Sequence, residues 1–192
     1  VLLCINGTGI MNRWVKNLCG DDLSYETINK QAAAIQPGSD GLIVFPFGNG
    51  AERMLENKIV GAHILNIDLN KHSKAHIFRA AQEGIAFAFR YGLDIMRENG
   101  INPAVIHAGK ANMFLSDVFT EAFVNATHVA VELYENEGCV GAALGAGIGA
   151  KIYADSKEAF KNFRPLQLIT PAVNSEYEDI YSRWKNLLLK TI

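Results

Sequence analysis

Between Ala104 and Phe119 a short apolar run, Ala104 to Ile106, breaks at Ala108-Gly109 and gives way from Asn112 to residues spaced for an amphipathic helix. This order predicts a strand, a small-residue bend and a capped helix, the unit from which α/β folds are built. The bend lets a ligand come close to bare backbone. Asn112, read as the helix N-cap, and the free N–H groups of the first turn would offer donors to a nucleotide. Judged alone, the segment fits a ligand-free β-α connection better than a nucleotide site.

The rest of the composition narrows the setting. With 192 residues, 49% of them hydrophobic and 20% charged, the chain can bury a sizeable core as one or two lobes. A net charge of -2 with scattered Lys and Arg gives no footprint for nucleic acid. No apolar run reaches the roughly 18 residues needed to cross a bilayer, and no signal-type segment opens the chain, so no membrane partner and a cytoplasmic location are expected. Cys4, Cys19 and Cys139 form no CxxC pair and read as reduced structural thiols. Val1 stands where an initiator Met would, and Val1 to Ile5 has the pattern of a buried strand, which suggests a piece of a longer protein.

Along the chain, Gly7 to Gly9 turns into a helix with Ile10, Trp14, Val15 and Leu18 on one face, stopped at Gly20. Ser24 caps a second helix that buries Ile28, Ala32 and Ile35 and ends at Pro37-Gly38. Leu42 to Phe47 and Val60 to Ile67 read as strands around a polar, glycine-containing loop. The longest helix is predicted from about Asn70 to Asn99, with Ile77, Ala80, Ala81, Gly84, Ile85 and Ala88 on a broad small and apolar face. A strand is expected at Thr127 to Leu133. A helix follows over Gly138 to Ala154, with Gly141, Gly145 and Gly149 four apart; each glycine costs about 1 kcal/mol relative to Ala, so a helix or an adenine ring is expected against that bare backbone. Ser175 and Glu178 form a capping box for a last helix facing inward with Tyr177, Ile180, Trp184 and Leu187.

Familiar motifs fail on spacing. Gly109-Lys110 is followed by Ala111 where a P-loop needs a hydroxyl, and a dinucleotide fingerprint begun at Gly7 and Gly9 has Asn12 in its third glycine position. His72 and His76 have zinc-ligand spacing without a third ligand, so no metal centre is assigned. His107 reads as a hydrogen-bonded interior histidine, and Asp117 with Glu121 as a solvated helix face. Glu52-Arg53 is a candidate contact pair in its loop, with a surface ion pair as the alternative.

Five segments, in order, resemble the C-terminal domain of the FGGY carbohydrate kinases, with the xylulokinases as the most similar branch. They are Gly9 to Trp14; Leu42 to Phe47 with Gly50, Glu52 and Arg53; Gly61-Ala62 through His76 to Gly84; Ala108 to Asn112 with Phe114-Leu115; and Glu137 to Ala143. The sequence departs from the family pattern at His107-Ala108 within the glycine triplet, at Asn66 for a glycine, at Gln82 for an apolar residue and at the additional Ala51.

The resemblance implies an actin-like ATPase fold built from ribonuclease H-like lobes, each a mixed sheet flanked by helices, with ATP between two lobes. Residues 1–192 would be the C-terminal, nucleotide-side lobe, and the sugar-site lobe would lie upstream. It further implies ATP-dependent phosphorylation of a sugar, D-xylulose to D-xylulose 5-phosphate, with Mg2+ as cofactor and a homodimer as the assembly. Gly9 and Arg13 would lie near the phosphates, and Ala108, Gly109 and Asn112 would line the adenosine pocket. The catalytic aspartate of such enzymes belongs upstream, and no residue of this chain is assigned as the base. The alternative is a non-catalytic actin-fold sensor or assembly module.

Overall fold

The longest helix organises the chain. In a computed structural model that describes residues 3–135, 138–173 and 176–192, α3 (Lys74–Glu98) is buried almost without interruption from His76 to Ala88. Its run of alanines and Gly84 lets neighbours approach on several sides. On one side lies β1 (Ile43–Phe47), so close that a Cβ on Gly84 would sit 2.2 Å from the Val44 carbonyl oxygen. On others lie α1 (Thr8–Cys19), α2 (Tyr25–Ala33) and α4 (Asp117–Thr127).

The strands form two small sheets. β1 pairs antiparallel with β2 (Gly61–Leu65), Phe45 opposite His63. β3 (Val105–Gly109) runs parallel to β4 (Ala130–Tyr134), with α4 as the crossover between them, and β5 (Gln167–Ile169) adds antiparallel to β4. This second sheet is therefore mixed. Alternation along β4 sends Val131 and Leu133 into the core and Glu132 and Tyr134 to the opposite face. Beyond it, α5 (Gly138–Gly149) packs on α6 (Ser156–Phe160). The last helix, α7 (Tyr177–Thr191), returns to β1, where buried Trp184 meets Phe45, Phe47 and Phe87 and donates its indole N–H to Val44 O at 2.8 Å.

Several expectations need correction. Residues 3–5 form no strand, and Val1 and Leu2 lie outside the described residues. The helix expected from Asn112 is two pieces: a 3-10 turn, Asn112–Leu115, and then α4, whose N-cap is Ser116 accepting from Phe119 N–H. Asn112 caps nothing; it stands in the left-handed region at φ 51°, where Asn is tolerated better than other non-glycine residues. Helical hydrogen bonding persists to Thr127, so β4 starts later than the β-branched residues suggested. The glycine-rich helix stops at Gly149, and Asp155 caps the separate α6. Ser175, the expected cap of α7, lies outside the described residues, and Leu188 is buried more deeply than Leu187. His107 is exposed, against Tyr134 and Glu132. Cys4 and Cys19 are free thiols, the first exposed, and Cys139 is exposed as well.

An ionic cluster joins α3 to α7. Asp94 accepts from Arg90 Nε and Tyr181 OH, each at 2.7 Å, and lies 3.3 Å from Arg97 Nη1. Burial pushes the Asp94 carboxyl up, but the Tyr181 hydroxyl and Arg90 outweigh it and hold the carboxyl below its ordinary value, about 3.9. A carboxyl depressed in the folded state adds stability that is complete above that ordinary value and disappears as pH falls through the folded one. Asp94→Asn should therefore cost about 1–2 kcal/mol at neutral pH. Urea titrations should show the gap from the parent closing as pH drops below about 4.

Candidate nucleotide site

Four elements meet around a cavity of about 280 Å³ between α1, α2 and the start of α4. From α1 come Gly9 and Asn12, from α2 Tyr25 and Asn29, from the 3-10 turn Asn112 and Leu115, and from the cap of α4 Ser116. Tyr25 and Asn29 reach it together because they are four residues apart on one helical face.

The cavity is polar without being charged. The amides of Asn12 and Asn112 and the Tyr25 hydroxyl have no hydrogen-bond partner among the described residues, and no carboxylate, Lys or Arg lines the walls. Tyr25 and Asn112 are exposed, so these groups meet solvent, and with apolar Met113 and Leu115 beside them the concave wall suits a neutral, flat, heteroatom-rich group. Gly9 strengthens this. A Cβ there would meet nothing within 4 Å, so no packing in this chain calls for a glycine that costs the helix about 1 kcal/mol.

Of the residues singled out from sequence, Gly9 and Asn112 share this cavity. Ala108 and Gly109, at the end of β3, line a different one of about 570 Å³ with His107, Tyr134, Lys157 and Phe160. Arg13 is exposed one position beyond Asn12, with no ion pair among the described residues. Asn12, Tyr25 and Asn29 also line the cavity and were not singled out from the sequence, although Asn12 lies inside the Gly9 to Trp14 segment. The Tyr25/Asn29 spacing was the available signal for the other two.

The remaining candidates have structural surroundings. Glu52 is buried and Arg53 exposed, so the two form no pair. Both Glu52 carboxylate oxygens accept from Asn6 N–H, at 3.2 and 3.3 Å, tying the loop to the entry of α1. Burial pushes that carboxyl up, with the Asn6 bond opposing. His76 Nδ1 accepts from Ser73 N–H at 3.0 Å, which leaves Nε2 to donate to Asp40 at 3.2 Å, while His72 contacts the Asp40 carbonyl. Asp117 and Glu121 are exposed. A Cβ on Gly145 or Gly149 would meet nothing within 4 Å, so no helix of the described chain packs on that face of α5. Among the described residues no helix is long and apolar enough to cross a membrane.

Solved structures of similar shape identify the architecture as a lobe of the actin-like ATPase type. A ligand-bound xylulose kinase from Lactobacillus acidophilus superposes with a TM-score of 0.82 at 19% identity, over 96% of this chain and 38% of that one. A glycerol kinase from Plasmodium falciparum, solved with ADP, gives 0.70 at 20% identity over 88% and 34%. The sequence carries the assignment further, because residues 4–150 match the model of the FGGY family of carbohydrate kinases, C-terminal domain. The chain belongs to that family. It is 28% identical over 187 residues to the xylulose kinase of Lactococcus lactis, covering 93% of this chain and 36% of that protein. With the L-xylulose/3-keto-L-gulonate kinase of Escherichia coli it shares 27% identity over 176 residues, 87% and 34% of the two. The chain thus spans about a third of the length of these relatives.

Proposed function

We propose that this chain is the nucleotide-side lobe of an ATP-dependent sugar kinase and that its cavity between α1, α2 and α4 receives the nucleoside of ATP. The observation that supports this most is the meeting of Gly9 and Asn112, more than a hundred positions apart, in one cavity walled by unpartnered amides. The neutral lining suits a base and ribose. The triphosphate would extend outward, where exposed Arg13 could make charge-assisted hydrogen bonds to it, with the Ala108-Gly109 strand end as the neighbouring backbone. Mg2+ would travel with the triphosphate, since the cavity lining holds no carboxylate.

The reaction proposed is transfer of the γ-phosphoryl group to a hydroxyl of a ketopentose, giving D-xylulose 5-phosphate from D-xylulose. Relatives named as xylulose kinases support that sugar, while others named gluconokinase and ribulokinase define the competing substrates. The base that deprotonates the sugar would come from the other lobe, and closure of the two would exclude water. Incubating the intact protein with ATP, Mg2+ and D-xylulose, L-xylulose, D-gluconate and L-ribulose tests this directly. Turnover fastest on D-xylulose is expected; turnover on none of the sugars, with ATP bound, would point to a sensor.

Asn112 can be tested without disturbing the turn. Asn112→Gly keeps a residue at ease at positive φ and deletes only the amide, so the dissociation constant for a non-hydrolysable ATP analogue should rise about threefold to tenfold. Asn112→Ala should add a stability cost of about 1 kcal/mol, because alanine resists the left-handed conformation. An unchanged dissociation constant in the folded glycine variant removes Asn112 from the site.

A further inference from the structure

We infer that Gln82 determines what the nucleoside cavity recognises, by fixing which end of the Asn29 amide is left for the ligand. The inference rests on the nucleotide reading above. Gln82 is on α3 with no exposed surface, and its side chain joins two residues of the cavity wall, Asn29 and Ser116. An apolar side chain at this place would need no buried partners.

The direction of the hydrogen bonds follows from the helix cap. Ser116 Oγ accepts from Phe119 N–H, so the single proton of Ser116 is free to donate, and it does so to Gln82 Oε1 at 2.5 Å. With its oxygen engaged, Gln82 donates from Nε2 to Asn29 Oδ1 at 3.1 Å. One acceptor site of the Asn29 oxygen is thereby filled and the oxygen is turned toward Gln82, while its Nδ2 group has no protein partner among the described residues. Reversing the chain would aim two donors at Ser116 Oγ and leave the serine proton without an acceptor in this chain of bonds. The cavity therefore offers a donor at Asn29, and the complementary ligand atom is an acceptor. On a nucleoside in a neutral cavity, that atom is assigned to the base, as a ring nitrogen.

Gln82→Glu makes the inference testable, because a carboxylate can only accept. It still receives the Ser116 proton, but Asn29 must turn its Nδ2 inward and present Oδ1 to the ligand. Binding of non-hydrolysable ATP and of analogues with each ring nitrogen in turn replaced by C–H would be measured on the intact parent protein. The same series would be run on Gln82→Glu, Gln82→Met and Asn29→Ala, the last of which deletes the amide facing the cavity together with the acceptor of Gln82 Nε2. The parent should bind one of the analogues about fivefold more weakly than ATP. All three variants should lose that discrimination, and Gln82→Glu should also bind ATP itself about tenfold more weakly, since Oδ1 then faces an acceptor.

Discrimination retained in Asn29→Ala or in either folded Gln82 variant overturns the inference. So does a parent that binds ATP but tolerates every ring-nitrogen replacement, or one that responds only to loss of a ribose hydroxyl. A parent that binds no adenine nucleotide removes the nucleotide reading as well, which separates the two failures.

Discussion

Gly84→Ala should destabilise the fold by about 3 kcal/mol, and Gly84→Leu should leave no folded protein. An added Cβ would lie 2.2 Å from Val44 O and 3.1 Å from the carbonyl carbon, and both atoms belong to backbone that is paired with β2. The helix or the strand must therefore move. The same carbonyl oxygen accepts the Trp184 indole N–H, so moving β1 also strains the bond that seats α7 among Phe45, Phe47 and Phe87. Urea unfolding followed by Trp184 fluorescence in a Trp14→Phe background reports this site. A loss below about 1 kcal/mol for the alanine variant would mean that α3 and β1 can move apart at little cost.

Glu83→Ala should cost about 3–5 kcal/mol, because it removes the buried partner of Arg79 and leaves only the half-exposed Glu121, 3.6 Å away. Arg79 and Glu83 are each 3% exposed in their side chains and 2.7 Å apart. Arg79 also donates to Ile35 O and Tyr177 OH, both at 2.8 Å, while Glu83 accepts from Gly38 N–H at 2.9 Å and Ser39 Oγ at 3.0 Å. Burial works to lower the Arg79 pKa, and the charge of Glu83 outweighs it, so the guanidinium stays protonated. Tyr177, desolvated and beside Glu83, is held well above the ordinary tyrosine range.

The pair has a second task. Ser39 and Asp40 adopt left-handed φ angles of 48° and 53°, and Glu83 anchors the turn that forces them there. Without it the turn should relax, which amide exchange at residues 38–41 would reveal. Replacing both partners, Arg79→Met with Glu83→Leu, should recover much of the loss, because no buried charge then stands alone. A double variant as unstable as the sum of the singles would show that each side chain acts independently.

Much of the layout was legible because its cause is local. The small and apolar spacing of Ile77, Ala80, Ala81, Gly84, Ile85 and Ala88 specifies a packed helix face, and Ser24 caps α2 by accepting from Thr27 N–H as its position suggested. The strand pattern of Leu42 to Phe47 held for the same reason. Misreadings arose where a residue's role depends on distant partners. Arg79 and Glu83 were not singled out, because charges four apart have the spacing of a solvated surface pair, and it takes the Ile35 carbonyl, Tyr177 of α7 and the turn at Ser39 to enclose them. Asn112 has the chemistry of an N-cap, yet Ser116 takes that place and Asn112 bends into the left-handed region. β5 was missed because Gln167–Ile169 is short and gains strand geometry only by pairing with β4.

The candidate site divides in the same way. Asn112 could be named from the small-residue bend before it, because a turn needs particular residue types wherever it occurs, whereas Gly9 entered as a site residue only through the family resemblance. Their shared cavity, and the addition of Tyr25 and Asn29 to it, depends on how α3 packs α1, α2 and α4 around itself. Gln82 shows the division in a single side chain. As a letter it is a polar interruption in an apolar face; in the fold it is a directed link from the cap of α4 to the amide of Asn29. Hydrogen-bond capacity is a property of the residue type and travels with the sequence, whereas the direction in which that capacity is spent depends on which groups the packed helices bring within reach.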